Sequence, residues 1–327
     1  MGAAAATAAA SLTSTSEVAF GTGANSARIE PARPHETPSK TKMSKPDGVN
    51  LSQAGKALGA LAFRGPDAAR FLQGQLSADI EKLAVGASTL AGLHNPQGRV
   101  VALLALVRTS NEELFAVLPA ELVAAVALRL RKYVLRAKVK IDAPGETLCI
   151  VGSVADLAGF PSIAWGTRRL LLVPAEQLDG FALTDLAAWT AADVREGLPQ
   201  VYAKTSETFV AQMLNLDLLG AIAFDKGCYT GQEVIARSHY RGRVKRRLQR
   251  WHTDDQAPLE AGDPARSADG RTLSIVQVAA GADGQELLAV GPYAARDESE
   301  GAAERLTSAG TGALVEGPLP LPYHLPD

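Results

Sequence analysis

Two strand-like runs, STLAGLHN (88–95) and RVVALLALVR (99–108), flank Asn95-Pro96-Gln97-Gly98, and few patterns restrict a fold as tightly. Asn first, Pro second and Gly last are the residues that a type I turn favours. The two runs therefore read as paired strands. A third strand, ELFAVL (113–118), leads into a helix predicted from Pro119 to about Tyr133. AKVKI (137–141) then alternates polar and apolar, as a half-buried strand does. Strands mixed with helices in this way point to an α+β fold.

On either side of this segment the pattern changes. GPDAARFLQGQLSADIEKL (65–83) predicts a helix, with Pro66 at its first position and Phe71, Leu72, Leu76 and Ile80 on one side. Residues 205–237 read as mostly helical, in two pieces. From 243 onward RVKRRLQRWH, RTLSIVQVAA and QELLAVGPY are short strands between Gly, Asp and Pro clusters, the signature of a small β-barrel or sandwich. Residues 1–47 lack the large apolar side chains that offset ordering entropy and read as a disordered tail, with Met43 a second candidate for the start. The opening MGAAAATAAASLTSTSEV has no basic segment ahead of its apolar part, which makes it a poor secretory signal. It is rich in Ala, Ser and Thr like a transit peptide, but Glu17, Glu30 and Glu36 count against one.

Composition excludes several classes. A net charge of -2 gives no bulk attraction to nucleic acid or membrane, so any such attraction needs a local patch. No apolar run approaches the ~18 residues that span a bilayer, and no membrane partner is expected. Cys149 and Cys228 are the two cysteines, too few for a disulfide framework or a self-contained iron–sulfur cluster, and no CxxC or Cys/His spacing suggests zinc. A reducing compartment fits best.

Cys228 lies in FDKGCYTGQEVIARSHYRGRVKRRL (224–248). Thr230-Gly231-Gln232-Glu233 matches a capping box, which predicts a helix from Gly231 to about Arg237 and places Cys228 two residues before its N-cap. Free N–H groups, the helix dipole and Lys226 would all favour the thiolate, or would hold a ligand's carboxylate or phosphate. Gly227 and Gly231 allow close backbone approach. The plain alternative is a small buried hydrophobe in a tight turn. Arg237, Arg241, Arg243, Lys245, Arg246, Arg247 and Arg250 follow, with no acid between Glu233 and Asp254. That run reads as a solvated strand edge, or as an anion site for a polycarboxylate ligand or RNA with Tyr240 and Trp251 as stacking residues.

Taken together, KGCYTGQEVIAR (226–237) resembles the defining motif of the YgfZ family of folate-binding proteins, relatives of the glycine-cleavage T-protein, an aminomethyltransferase. FLQGQLSAD (71–79), KYVLRAKVKI (132–141), REGLPQV (195–201), MLNLDLLGAIAFDKGC (213–228) and HYRGRVKRRL (239–248) extend the match over roughly 50–295. The resemblance implies an α+β, T-protein-like architecture in three parts around a central folate-type cavity. These are a discontinuous folate-binding domain (48–95 plus 186–242), a ferredoxin-like α+β insertion (96–185) and a C-terminal β-barrel (243–327). It implies tetrahydrofolate or a derivative as ligand, and iron–sulfur proteins or their assembly machinery as partners in cluster synthesis or repair. It makes Cys228 the functional thiol, surrounded by Lys226, Gly227, Tyr229, Thr230, Gly231, Gln232 and Glu233. Gln73, Gln75, Asp79, Arg136 and Arg237, all on matching blocks, are expected to hold the pterin or glutamate end. The implied location is the bacterial cytoplasm, or the mitochondrion if residues 1–42 act as a transit peptide.

One departure matters. The T-protein's adjacent aspartates fall here near Ala102 and Leu103, neither of which can accept a proton or pair with an amine. Aminomethyl transfer is therefore not expected. A folate-dependent transferase or demethylase with Asp79, His94 or Glu233 as acid–base group is one alternative, although an isolated histidine beside a turn reads first as a surface or hydrogen-bonded residue. An RNA-binding module over 237–250 is the other.

Overall fold

In the computed structural model, which describes residues 45–52, 58–242, 244–281, 283–293 and 312–326, the hairpin is the spine of a five-stranded sheet. The tail expected over 1–47 lies outside the described residues up to 44, as does Arg243 in the basic run. The hairpin strands β3 (Ser88–His94) and β4 (Val100–Ser110) are joined by the expected turn, Gly98 donating its N–H to the Asn95 carbonyl at 2.9 Å. The Asn95 side chain also accepts from the backbone of Gln97 and Arg99. β5 (Glu113–Pro119), β2 (Leu58–Arg64) and β6 (Lys140–Asp142) complete the sheet, in the order β3-β4-β5-β2-β6 with every neighbour antiparallel. β4 is buried from Val100 to Val107. The unbroken apolar run has cover on both sides: α2 (Ala120–Arg131) packs against β2, β4 and β5, and a second sheet faces it.

That second sheet runs β10-β1-β7-β9-β8, from β1 (Asp47–Asn50), β7 (Leu148–Ser153), β8 (Ser162–Trp165), β9 (Arg168–Pro174) and β10 (Ala182–Leu183). α3 (Leu186–Glu196) is locked to it by a buried cluster. Arg168 pairs with Asp193 at 2.7 Å and Glu196 at 3.2 Å and lies over the Trp189 ring, while the Trp165 indole N–H donates to Asp193. Burial pushes the Asp193 carboxyl up to about 6, against the pull of Arg168 and the indole N–H.

The C-terminal part is the closed barrel expected from the strand pattern. It runs β11-β14-β13-β12-β15, from β11 (Arg246–Thr253), β12 (Pro264–Ser267), β13 (Thr272–Gly281), β14 (Gly284–Pro292) and β15 (Ala313–Leu319). Trp251, Ile275, Leu287 and Val315 fill it, and α3 packs against β13 and β14.

Three expectations need correction. The helix read over 65–83 shrinks to α1 (Ala68–Gln73), because local side chains capture the backbone that follows. The Gln73 amide oxygen accepts from Ile80 and Glu81 N–H groups, and Ser77 bonds the Gly92 N–H and the Ala221 carbonyl. Residues 205–231 hold only a short 3-10 turn at Ala211–Leu214, which ends at Asn215 in the left-handed region (φ 57°). The division at 95/96 falls inside the β3–β4 turn, so the insertion is not a separate body. β2 pairs with β5 and β6, and β1 with β7 and β10, so both sheets mix strands from each side of that division. A block-by-block sequence reading does not carry such non-local pairings.

Candidate functional site

The Cys228 loop is built from three interlocking contacts. The first is Lys226, whose ammonium donates to the carbonyls of Gln73, Leu76 and Ala78 at 2.7, 2.6 and 2.8 Å. These are the carbonyls exposed where α1 ends, so one cation closes the turn and ties the loop to it. Burial pulls Lys226 down to about 8, opposed by Asp79 and Glu81, and three convergent carbonyl oxygens require the protonated form. Its three N–H donors are therefore all taken by these carbonyls. The second contact is Tyr229, buried beneath Lys226 with its ring 5.1 Å from the ammonium and its hydroxyl raised to about 12 by burial.

The third contact is Gly231. The capping box does not form: α4 (Gln232–Tyr240) has Gly231 as its N-cap, in the left-handed region (φ 82°), with no side-chain cap bond. The Gln232 side chain instead accepts the Tyr229 N–H at 3.2 Å. Gly231 lies so close to the β3–β4 turn that a Cβ would stand 2.5 Å from the Asn95 carbonyl oxygen and 3.0 Å from the Gly98 Cα. A threonine N-cap needs extended backbone ahead of the helix, and this approach demands a glycine there instead. Pinned on both sides, the loop leaves Gly227 and Cys228 exposed, so Cys228 is not the buried hydrophobe of the plain alternative.

Between this loop, the hairpin end and the C-terminus of α2 lies a pocket of about 220 Å³. Leu93, His94 and Pro96 come from the hairpin, Gln75 from beyond α1, Thr230 from the loop, and Arg129, Lys132 and Tyr133 from α2 and its end. Of the residues expected to hold a ligand, Gln75 and Thr230 line it. Gln73 and Asp79 are engaged elsewhere: the Gln73 amide donates to Asp79 at 3.0 Å, and Asp79 pairs with Lys82, whose bond holds its carboxyl below the usual range. Arg136, Arg237 and Glu233 are exposed and outside the pocket lining.

The basic run is largely taken up by the barrel. Arg247 is buried and bidentate on Asp217 at 2.9 and 3.0 Å, Arg250 pairs with Glu286, and Arg246 donates to the Thr272 and Val290 carbonyls. Once the chain enters β11, every second side chain turns inward and a charge there must find a partner.

His94 departs furthest from its sequence reading. It is 1% exposed, its ring lies over Gly92 where a Cβ would stand, and neither ring nitrogen has a hydrogen-bond partner of good geometry. Burial lowers its pKa to about 4, opposed slightly by the Gly92 backbone. The folded value lies below the unfolded 6.5, so between the two the unfolded chain binds the proton that the folded chain refuses. Stability is therefore lost as pH falls from about 6.5 to about 4, by roughly 3 kcal/mol from this group. His94→Leu is expected to be more stable than wild type at pH 7 by about 1–2 kcal/mol and to lose this part of the acid sensitivity. Urea unfolding of both proteins between pH 7 and 4 checks it, and parallel pH profiles would refute it.

No family model matches the chain. It is 34% identical over 262 residues to a tRNA-modifying protein YgfZ of Edwardsiella ictaluri, covering 66% of this chain and 77% of that protein. It is 31% identical over 265 residues to the tRNA-modifying protein YgfZ of an Enterobacter species, covering 69% and 80%. An uncharacterized protein of Haemophilus influenzae is 32% identical over 232 residues, covering 68% and 82%. In fold, the chain matches the glycine cleavage system aminomethyltransferase T of Bartonella henselae with a TM-score of 0.59 over 76% and 79% of the two chains, at 15% identity. That likeness concerns architecture alone.

Proposed function

This chain belongs to the YgfZ family, and on that premise we propose that it binds tetrahydrofolate or a derivative and serves the synthesis or repair of iron–sulfur proteins, with Cys228 as its functional thiol. One observation carries the reading. Cys228 is exposed on a loop held rigidly by Lys226 and Gly231, two residues from Thr230 in the pocket wall. An exposed sulfur beside a ligand pocket suits a step on a large partner, which a buried thiol could not reach. The pocket is smaller than the ~300–1,000 Å³ usual for whole ligands and admits one end of a folate. None of its lining residues is a carboxylate, and Ala102 and Leu103 are buried in β4, so the adjacent carboxylates of aminomethyl transfer have no counterpart there.

Calorimetric titration with tetrahydrofolate is expected to give equal binding by wild type and Cys228→Ala, since the thiol stands outside the pocket lining. The variant is expected to fail to restore cluster-enzyme activity in cells lacking the protein. Absence of binding by the wild type would refute the folate part, and full restoration by Cys228→Ala would refute the thiol role.

A second reading, contact with tRNA, draws on the names of the relatives and on a cluster of rings at α4. Phe224 stacks on His239 at 3.8 Å, and Tyr240, 68% exposed, meets both edge-on beside exposed Arg237 and Arg241. Such rings next to cations stack single-stranded bases. A steep loss of tRNA affinity with salt would support it, and salt-independent or absent binding would dismiss it.

A further inference from the structure

Arg129, Arg131, Lys132, Arg136, Lys138 and Lys140 fall within twelve residues, and no acid lies between Glu121 and Asp142. Several of these charges are committed. Arg129 pairs with Glu207, Lys140 with Asp142 at 3.0 Å, and Arg131 donates to the Ile141 carbonyl. The ammonium and guanidinium groups of Lys132, Arg136 and Lys138 make no ion pair among the described residues, and all three side chains are exposed. Asp67, the nearest acid to Lys138 in the bonding pattern, accepts from its backbone N–H. Lys132 stands in the pocket wall. Arg136 follows it by four residues, which carry the chain no further than about 14 Å.

The pocket is correspondingly graded. Leu93, Pro96, Gln75, Thr230 and the neutral imidazole of His94 make one part uncharged, and the cations enter only from the α2 end. A ligand suited to this gradient has a neutral head and a flexible, multiply anionic tail. We propose that the strip Lys132, Arg136 and Lys138 is a tail site that selects folates carrying an oligo-γ-glutamyl chain over the monoglutamate. The inference rests on the folate reading above and extends it to the form of the ligand. Three exposed cations within seven residues, the first of them in the pocket wall, match a chain bearing one carboxylate per residue. An RNA strand would need stacking surface along the strip, where Tyr133 is the only aromatic ring.

The test is calorimetric titration of the full chain with tetrahydrofolate monoglutamate and pentaglutamate, at low and high salt, for wild type and Arg136→Gln/Lys138→Gln. The readout is the ratio of the two affinities. The wild type should favour the pentaglutamate by about tenfold at low salt, as a few exposed pairs supply, and by much less at high salt. The double variant should bring the ratio close to one. A wild-type ratio near one, with both forms bound, overturns the tail site and leaves the folate reading standing. No binding of either form overturns the folate reading itself, and the tail site with it. If short single-stranded RNA binds and is lost in the double variant while the ratio stays near one, the strip belongs to RNA and the proposal fails.

Discussion

Lys226→Met is expected to destabilise the protein by about 3 kcal/mol and to release the Cys228 loop. The methionine retains the length and apolar stem of lysine, so the change isolates the ammonium. Its loss strands the carbonyls of Gln73, Leu76 and Ala78 together, at the point where α1 ends and the chain turns toward β3. A buried acceptor without a partner costs about 1–3 kcal/mol, and partial resolvation keeps three of them from adding in full. Lys226→Arg is expected to rescue poorly, because a planar fork cannot converge on three acceptors that surround a point donor. Urea unfolding measures the stability loss, and hydrogen exchange of residues 226–231 reports the loop. Unchanged exchange there in Lys226→Met would show that the clamp does not hold the loop.

Arg168→Met should cost more, about 3–5 kcal/mol at pH 8, because it leaves Asp193 buried and charged without its cation. In the wild type the folded Asp193 value, about 6, already lies above the unfolded 3.8, so ionisation of this group weakens the fold as pH rises through that window. Without Arg168 the folded value climbs further, and the folded state holds a proton that the unfolded chain has released. The penalty must therefore shrink toward pH 5 and grow toward pH 8, opposite to the trend expected from His94. Arg168→Met/Asp193→Leu should recover part of the loss, since no charge is left buried at 193, while Glu196 loses its cation and the Trp165 indole N–H its acceptor. Denaturant midpoints of the single and double variants at the two pH values decide the matter. A pH-independent penalty would place the effect in lost packing over Trp189.

Local patterns were legible where neighbours in sequence are also neighbours in space. The Asn95–Gly98 turn, α2 and the strands that close the barrel all follow from residue order and periodicity. The family was legible as well, because KGCYTGQE compresses several structural demands into eight consecutive residues. The roles within that motif were not. Thr230 and Glu233 satisfy the capping-box pattern, yet Gly231 is the N-cap, because the deciding constraint is Asn95, more than a hundred residues earlier in the chain. Lys226 reads as a local influence on Cys228 and proves to be a clamp on the end of α1.

The sequence by itself determined the α+β class, the barrel, the hairpin and the family motif. Each depends on short-range periodicity, turn chemistry or a contiguous motif. Only the tertiary structure decided which charges are available. Arg247 and Arg250 lie within the same basic run as exposed Arg237 and Arg241, but β11 carries them onto Asp217 and Glu286. His94 reads as an ordinary turn histidine, but the packing of Tyr229 and Gly231 against the hairpin end removes it from water. Burial and ion pairing depend on which distant segments meet, and composition holds no record of those meetings.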